Sequence, residues 1–423
     1  MLAIQAIFGI GAFILLAVLC SENRRLPHWK LLSIGLGLQF AFAFLVFRFS
    51  FLQQALSGIN RAVTAIASAT ESGTLFVFGY LGGDPANVSY PFEVGDAGAT
   101  VILAFRILPL ILIFSVLSAI LWYYKVLPAI IKGFALLLQR ALGVGGAVGF
   151  CAGANIFVGM VEAPALIRPH IRSLTRSELF IVMSVGMATI AGTVMILYAV
   201  VLAPIVDNAL GHILTASVIS APAAITLALI IVPPSLDVAT SDIKKQTEDL
   251  GYNYHSVIDA ITKGTNDGVA LMVNVGAMLL VLTALVALCN SILGLLPAFG
   301  GEAMTLQRIL SYLFAPLVWL MGVPWSEAIT AGSLMGIKTT LNEFLAFIAM
   351  TNLTEGSLSE RSTLIMTYAL CGFANFGSLG IMIAGLTSMC KERAEEIVSL
   401  APKSLVSGTL ATCMTGSIAG LLY

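Results

Sequence analysis

Apolar runs of about twenty residues recur from one end of this chain to the other, each closed by a short polar turn. Such a run, wound as a helix, is long enough to cross the hydrocarbon core of a bilayer, and a soluble domain has no use for so many of them. Only 10% of the 423 residues are charged and 58% are hydrophobic, with a mean hydropathy of +0.98. A soluble chain would carry about 25% charge. The chain therefore reads as an all-α polytopic membrane protein. Its formal net charge of −1 gives no electrostatic reason to expect nucleic acid or an acidic partner. The six cysteines show no metal or disulfide spacing and read as small buried hydrophobes. The four histidines are scattered. The first run has no basic leader and no small-residue cleavage site, so it is expected to stay as a helix.

The expected spans cover about 1–19, 31–49, 100–124, 178–203, 214–232, 268–292, 363–389 and the C-terminal run to 423. Residues 51–80 are mixed and amphipathic, which fits a helix lying at the interface. The run 306–321, with Trp319 and Trp325 near its end, reads the same way. Residues 233–267 form the longest polar segment, expected as a cytoplasmic loop.

Two apolar stretches resist being plain crossings. The first, GFCAGANIFVGMVEAPALIRP at 149–169, holds Asn155, Gly159, Glu162 and Pro164 inside otherwise membrane-compatible sequence. Its flanks are basic on both sides: Lys125, Lys132 and Arg140 before, Arg168, Arg172 and Arg176 after. Under the positive-inside rule both ends face the cytoplasm, so the stretch enters and leaves on one side. It is expected to be a re-entrant hairpin. The second, SEAITAGSLMGIKTTLNEFLAFIAM at 326–350, is interrupted by Gly332, Gly336, Lys338, Asn342 and Glu343 and reads as a second hairpin. The resulting topology has eight transmembrane helices plus two re-entrant hairpins, with both termini outside the cytoplasm. Fifteen of the 21 Lys and Arg residues then fall inside, and six fall outside or within membrane segments.

An internal repeat runs through this arrangement. GMATIAG at 186–192 lines up with GFANFGS at 372–378, and a Glu-centred hairpin lies upstream of each. The order hairpin, broken helix, helix occurs twice, in opposite orientations. Inverted repeats with matched interrupted helices mark the substrate site of many secondary transporters. On this basis the chain divides into 1–141 and 233–325 as scaffold portions, with 142–232 and 326–423 as the two repeats.

A carboxylate at the bilayer centre is disfavoured by about 2.5–3.5 kcal/mol, so Glu162 and Glu343 need partners. Lys338 is an available one for Glu343. Asn342, Asn375, Ser378, Thr189 and Thr193 add neutral hydrogen-bonding groups, and no arginine lies in either core. The inventory suits a neutral, hydroxyl-rich solute. Unwound carbonyls with Asn and Thr oxygens also suit a small cation. One charge moving down 100 mV supplies about 2.3 kcal/mol, enough for a roughly fifty-fold concentration of a neutral solute.

At ANIFVGMVEAP, VGMATIAGT, GIKTTLNEFLAF and CGFANFGS the sequence resembles the concentrative nucleoside transporter family, and the resemblance covers essentially the whole chain. It implies a homotrimer in the cell (inner) membrane, with a scaffold part and a mobile transport part, that imports nucleosides by alternating access on a sodium or proton gradient. Sodium is the coupling ion and no cofactor is implied. Carried over, Asn155, Val158, Thr189 and Ile190 are the sodium ligands. Glu343, Asn375 and Ser378 hold the ribose hydroxyls, Phe373 lines the pocket, and Glu162 with Val194 opposite faces the base. One departure stands out. The family carries a polar pair before the hairpin glutamate, typically Gln or Asn then Thr or Ser. Here the pair is Met160 and Val161, and neither side chain can hydrogen-bond a base. Base selectivity is expected to be relaxed or shifted toward purine or modified nucleosides.

Three other readings compete with this one. A proton-coupled importer of another neutral, hydroxyl-rich metabolite would use Glu162 or Glu343 as proton carrier. A passive channel does not need two hairpins around a closed midplane site. An enzyme using the two glutamates as acid and base is disfavoured, because no Ser–His pair, metal helix or phosphate loop accompanies them.

Overall fold

A computed structural model describes residues 2–24, 29–83, 88–93, 102–234, 254–297 and 303–423. Arg25, His28, Lys244, Lys245 and most of the polar segment after 233 lie outside the described residues. What is described is helical throughout. The chain opens with α1 (Leu2–Leu19), α2 (Trp29–Arg48) and the long amphipathic α3 (Ser50–Phe78). A short α4 (Leu103–Arg106) leads into α5 (Pro109–Tyr123), and α6 (Val126–Leu142) follows. Next come α7 (Gly146–Asn155), α8 (Glu162–Leu166), α9 (Arg168–Ile171), α10 (Arg176–Ala188), α11 (Gly192–Leu202) and α12 (Ala209–Ile231). Then α13 (Val257–Leu293), α14 (Leu306–Leu320), α15 (Trp325–Thr340) and α16 (Glu343–Thr351) lead to α17 (Glu360–Leu370), α18 (Phe376–Met389) and α19 (Ala394–Leu422).

Seven of these helical stretches are long and apolar enough to cross a membrane, or eight if the bent pair α14–α15 counts as one. That pair turns by 120° at its break. The eighth expected crossing, 363–389, is divided between α17 and α18 by the non-helical residues 371–375, so neither half is of spanning length. The broken span α10–α11 passes as one unit of 27 residues.

Two local expectations need correcting. The residues between 125 and 142 looked like a basic flank, yet they wind into α6, whose buried Leu127, Ile131, Ala135, Leu138 and Leu142 face the protein. Lys132 and Arg140 occupy its other face, as helical periodicity requires. Likewise α13 begins about ten residues before the expected span, because the Ser256 hydroxyl accepts from Asp259 N–H and caps the helix inside the supposed loop. At 37 residues it is the longest element, and only 11% of its most apolar window is buried.

The best-buried of these spanning stretches is α12, with 83% of its window covered. It packs against α2, α10 and α19, and α19 in turn packs against α10 and α17. The two broken spans are thus wrapped around a common core of unbroken helices. Four of the six cysteines (Cys151, Cys371, Cys390 and Cys413) are buried in it as free thiols.

The polar end of this core is stitched by charges. Glu22, in the turn after α1, accepts from Arg176 Nη2 at 2.8 Å and from Lys403 Nζ at 2.7 Å. Its own N–H donates to the Ile231 carbonyl at 2.9 Å. Arg393 donates to the carbonyls of Ile171 and Leu174. Arg176, Arg393 and Lys403, three of the basic residues expected inside, are thus linked through Glu22 and Glu396 at one end of the bundle.

Candidate functional site

The broken helices stop where their sequences leave the backbone no good continuation. At the first break, α10 ends at Ala188 and α11 starts at Gly192, with Thr189 and Ala191 in extended conformation. The tip of the first hairpin, between α7 and α8, lies against it: Gly192 N–H donates to the Phe157 carbonyl at 2.9 Å. A Cβ on Gly192 would come within 2.6 Å of that carbonyl oxygen, so the close approach requires glycine.

The second break, between α17 and α18, lies against the first. Phe373 N–H donates to the Thr189 carbonyl at 3.3 Å, and a Cβ on Gly372 would meet the Ala188 carbonyl oxygen at 2.7 Å. The GMATIAG and GFANFGS segments therefore touch, backbone to backbone.

Two of the polar residues singled out in the sequence serve as helix caps. Asn342 Oδ1 accepts from Leu345 N–H at 2.9 Å and starts α16. Asn375 Oδ1 accepts from Ser378 N–H at 2.7 Å and starts α18. These are short polar side chains at the position where a helix has unpaired donors. The consequence is directional. The N-terminal ends of α11, α16 and α18 contribute Ala191, Thr193 and Val194, then Asn342, Glu343 and Phe344, then Asn375, Gly377 and Ser378, to one cavity.

That cavity has a volume of about 500 Å³. Met160, Val161, Glu162, Val194, Glu343, Phe373, Asn375 and Ser378 all line it, so the structure brings together every residue carried over for substrate. The remaining wall is apolar and comes largely from α13, through Leu271, Val275, Met278, Leu279 and Leu282. Glu343 is 3% exposed and well held: Tyr198 Oη donates to its Oε1 at 2.6 Å and Asn375 Nδ2 to its Oε2 at 2.9 Å. Tyr198 is itself fixed between Phe344 and Phe347, at ring separations of 5.9 and 5.4 Å. Its part in the site escaped the sequence reading.

Glu162 differs from Glu343. It is exposed, at the meeting of the main cavity and a smaller one of about 280 Å³ lined also by Ser115, Ser118, Thr193, Asp267 and Asn274. Gly159 leaves room for it, since a Cβ there would fall 2.2 Å from Glu162 Oε2. Beside it Met160 is buried against Gly186, and Val161 packs on Gly385. Lys338 is not the partner of Glu343. Among the described residues it makes no ion pair, and its Nζ donates instead to the Ala369 carbonyl and Thr412 Oγ1.

The residues carried over for sodium sit on the two segments joined by the Gly192–Phe157 bond. Asn155 is the last residue of α7, Val158 is in the hairpin tip, and Thr189 and Ile190 are in the first break. Asn155, Thr189 and Ile190 are at most 1% exposed, and Val158 is half-buried. Neither the oxygen nor the nitrogen of the Asn155 amide has a hydrogen-bond partner. A buried amide left unpaired is disfavoured by about 1–3 kcal/mol, so its oxygen fits a cation ligand better than a packing group.

The chain matches three family models. One described as "Na+ dependent nucleoside transporter C-terminus" covers 212–420, the corresponding N-terminus model covers 8–81, and one described as "Nucleoside recognition" covers 104–205. It is 36% identical over 98% of both chains to the uncharacterized transporter YutK of Bacillus subtilis. It is 34% identical to the nucleoside permease NupC of Helicobacter pylori, over 98% of this chain and 97% of that one. Against solute carrier family 28 member 3 of Mus musculus the identity is 33% over 98% of this chain, which spans 58% of that relative. Among solved structures, CNTnw in an inward-facing substrate-bound state matches with a TM-score of 0.89 at 35% identity, covering 100% of this chain and 98% of that one.

Proposed function

This chain belongs to the Na+-dependent, concentrative nucleoside transporter family, and from that premise we propose that it imports nucleosides by sodium symport and alternating access. It is a multi-pass membrane carrier, not an enzyme. One observation carries the assignment of the site. A buried carboxylate, Glu343, oriented by Tyr198 and Asn375, opens into a cavity of about 500 Å³, and the buried amide of Asn155, at the end of the first hairpin helix, has no partner among the described residues.

In this reading the ribose hydroxyls donate to Glu343 and bond Asn375 and Ser378, and Phe373 covers the sugar. The base lies toward Met160, Val161 and Glu162, with Val194 opposite. Sodium binds Asn155, Val158, Thr189 and Ile190 through side-chain and backbone oxygens. The apolar lining at Met160 and Val161 relaxes base selectivity, and Met160 offers a soft, adaptable contact.

The finer architecture belongs to the same reading. Residues 142–232 and 326–423 are the inverted repeats, with α7–α8 and α15–α16 as re-entrant hairpins and α17–α18 as the eighth crossing. Residues 1–141 and 233–325 form the scaffold. Both termini lie outside the cytoplasm, in a cell membrane. The subunits assemble as a homotrimer, and the exposed apolar length of α13 faces lipid or neighbouring subunits, which supports that assembly.

The decisive experiment is uptake of a panel of labelled nucleosides into proteoliposomes, with and without an inward sodium gradient. Accumulation that follows sodium supports the reading. Accumulation that ignores sodium and follows an imposed pH gradient replaces it with proton coupling.

A further inference from the structure

The smaller cavity, of about 280 Å³, has no task in the transport reading, yet it adjoins the substrate cavity. The two share Glu162, Thr193, Leu271 and Asn274 in their walls. One stripe of α13 runs past both: Asp267 and Asn274 border the smaller space, and Met278 and Leu282 border the larger. These four fall on one face of the helix, with Asp267 and Met278 about 16 Å apart along its axis. On the proposed orientation Trp122, Leu127 and Tyr254 mark the cytoplasmic end of the smaller cavity. Lys125, between the first two in sequence, and Lys263, over the Tyr254 ring, belong to the side expected inside.

The walls of this cavity come from different parts of the molecule. Asp267 stands on α13, which is locked to α5: a Cβ on Gly264 would fall 2.9 Å from Ala119 Cβ, and one on Gly268 would fall 3.0 Å from Leu112 Cα. Phe157 and Glu162 come from the first hairpin, and Thr193 comes from α11. The proposed scaffold thus supplies one carboxylate, and the hairpin proposed to hold the base supplies the other.

The chemistry of the lining is one-sided. Among the described residues no Lys, Arg or His borders this cavity, and its two carboxylates, when ionised, only accept hydrogen bonds. A neutral occupant has to bring donors, and Trp122, Phe157 and Tyr254 offer ring faces on which a base can stack. Cytosine and adenine carry an exocyclic amino group with two N–H donors. Uracil and hypoxanthine carry a carbonyl oxygen in its place, which a carboxylate repels.

We propose that Asp267 is a specificity-determining residue on the release side. In the inward-facing carrier it accepts, together with Glu162, from the exocyclic amino group as the base passes into the 280 Å³ cavity, so amino-bearing nucleosides are favoured at the cytoplasmic face. When the transport part carries Glu162 away from the polar end of α13, Glu162 meets the base alone and the preference is weaker.

The proposal rests on the sodium–nucleoside reading above, so sodium-driven uptake of cytidine and uridine by intact cells expressing the wild type is measured first. Its absence would remove that reading and the proposal with it, and every later outcome bears on Asp267 alone. Cytidine and uridine differ by the exchange of an amino group for a carbonyl, and their ratio within one variant cancels differences in expression and folding. Their half-inhibitory concentrations against labelled uridine are compared at the outer face of intact cells and at the cytoplasmic face of inverted membrane vesicles. The wild type should favour cytidine over uridine at least about fivefold more strongly at the cytoplasmic face than at the outer one. In Asp267→Asn and Asp267→Ser, whose side chains can donate as well as accept, that excess should vanish, while the outer-face ratio stays within about twofold of wild type. Equal wild-type ratios at the two faces would overturn the proposal. So would variants that keep the excess, or that shift both faces alike. Where neither variant folds, the wild-type comparison decides.

Discussion

Tyr198 and Glu343, 145 residues apart in sequence, are joined by a hydrogen bond of 2.6 Å in the wall of the 500 Å³ cavity. The phenol occupies one carboxylate oxygen and Asn375 occupies the other, which fixes the plane of the carboxylate and leaves its remaining lone pairs for a ligand. Hydrogen bonds to charged groups contribute about 1.5–3 kcal/mol. Tyr198→Phe removes one while keeping the ring packed on Phe344 and Phe347. The apparent KM for nucleosides should rise about tenfold or more, at 1.4 kcal/mol per tenfold. A nucleoside lacking the ribose hydroxyls should be nearly indifferent to the change. Uptake kinetics of the paired substrates check this, and an equal effect on both would count against the assignment of Glu343 to ribose.

Asn155→Ala tests the cation site from the opposite direction. Because neither amide atom has a partner among the described residues, its removal takes away no hydrogen bond seen there. The sodium-free melting temperature should stay level or rise, since deleting an unsatisfied buried polar group is neutral or stabilising. Stabilisation by added sodium should shrink, and the sodium concentration for half-maximal uptake should rise. A variant that is destabilised without sodium yet keeps its sodium response would reassign Asn155 to packing.

Met160 and Val161 set the third prediction. Replacing the pair by Gln and Thr restores groups able to hydrogen-bond a base edge. A site built around such bonds discriminates by orders of magnitude more than an apolar one. The uridine-to-adenosine uptake ratio should change severalfold in favour of uridine, in competition assays at matched expression. An unchanged ratio would remove these positions from base recognition.

Glu22 gives the fourth. Arg176, and then Lys403, hold its carboxylate down at about 2 from an ordinary value of 4.5. A lowered folded-state value means that the clamp's contribution is fully present above pH 4.5 and is lost as pH falls toward 2. The groups are partly exposed and screened by solvent, so the contribution is at most about 1 kcal/mol. Glu22→Gln should therefore melt slightly below wild type at pH 7, with the gap closing as pH falls from 4.5 toward 2. Differential scanning fluorimetry in detergent across that range checks it.

Much of the fold could be read from residue order because the bilayer imposes a simple rule on length and charge. Spans such as α1 and α12 announce themselves, and Gly and Pro beside a carboxylate mark the broken elements. What stayed hidden depends on distance through space. Nothing near Tyr198 signals a glutamate far along the chain. Lys338 and Glu343 look like an i,i+5 ion pair on paper, yet the helix ends between them at Thr340 and sends the lysine to a different carbonyl. The helix α6 was missed because Lys132 and Arg140 carry the signature of a loop flank, and only tertiary packing reveals its buried face.

The bond from Phe373 N–H to the Thr189 carbonyl makes one peptide group common to both ligands' surroundings. Thr189 belongs to the proposed cation shell, and Phe373 begins the turn that presents Asn375. On the proposed assignment, a cation that orders Thr189 also orders the turn proposed to hold ribose, and a nucleoside that orders the turn returns the favour in equal measure. Such heterotropic coupling is reciprocal and typically amounts to about 5–150-fold in affinity. On that assignment it would disfavour a carrier loaded with either ligand alone, and so keep the gradient from being dissipated by slippage between cycles.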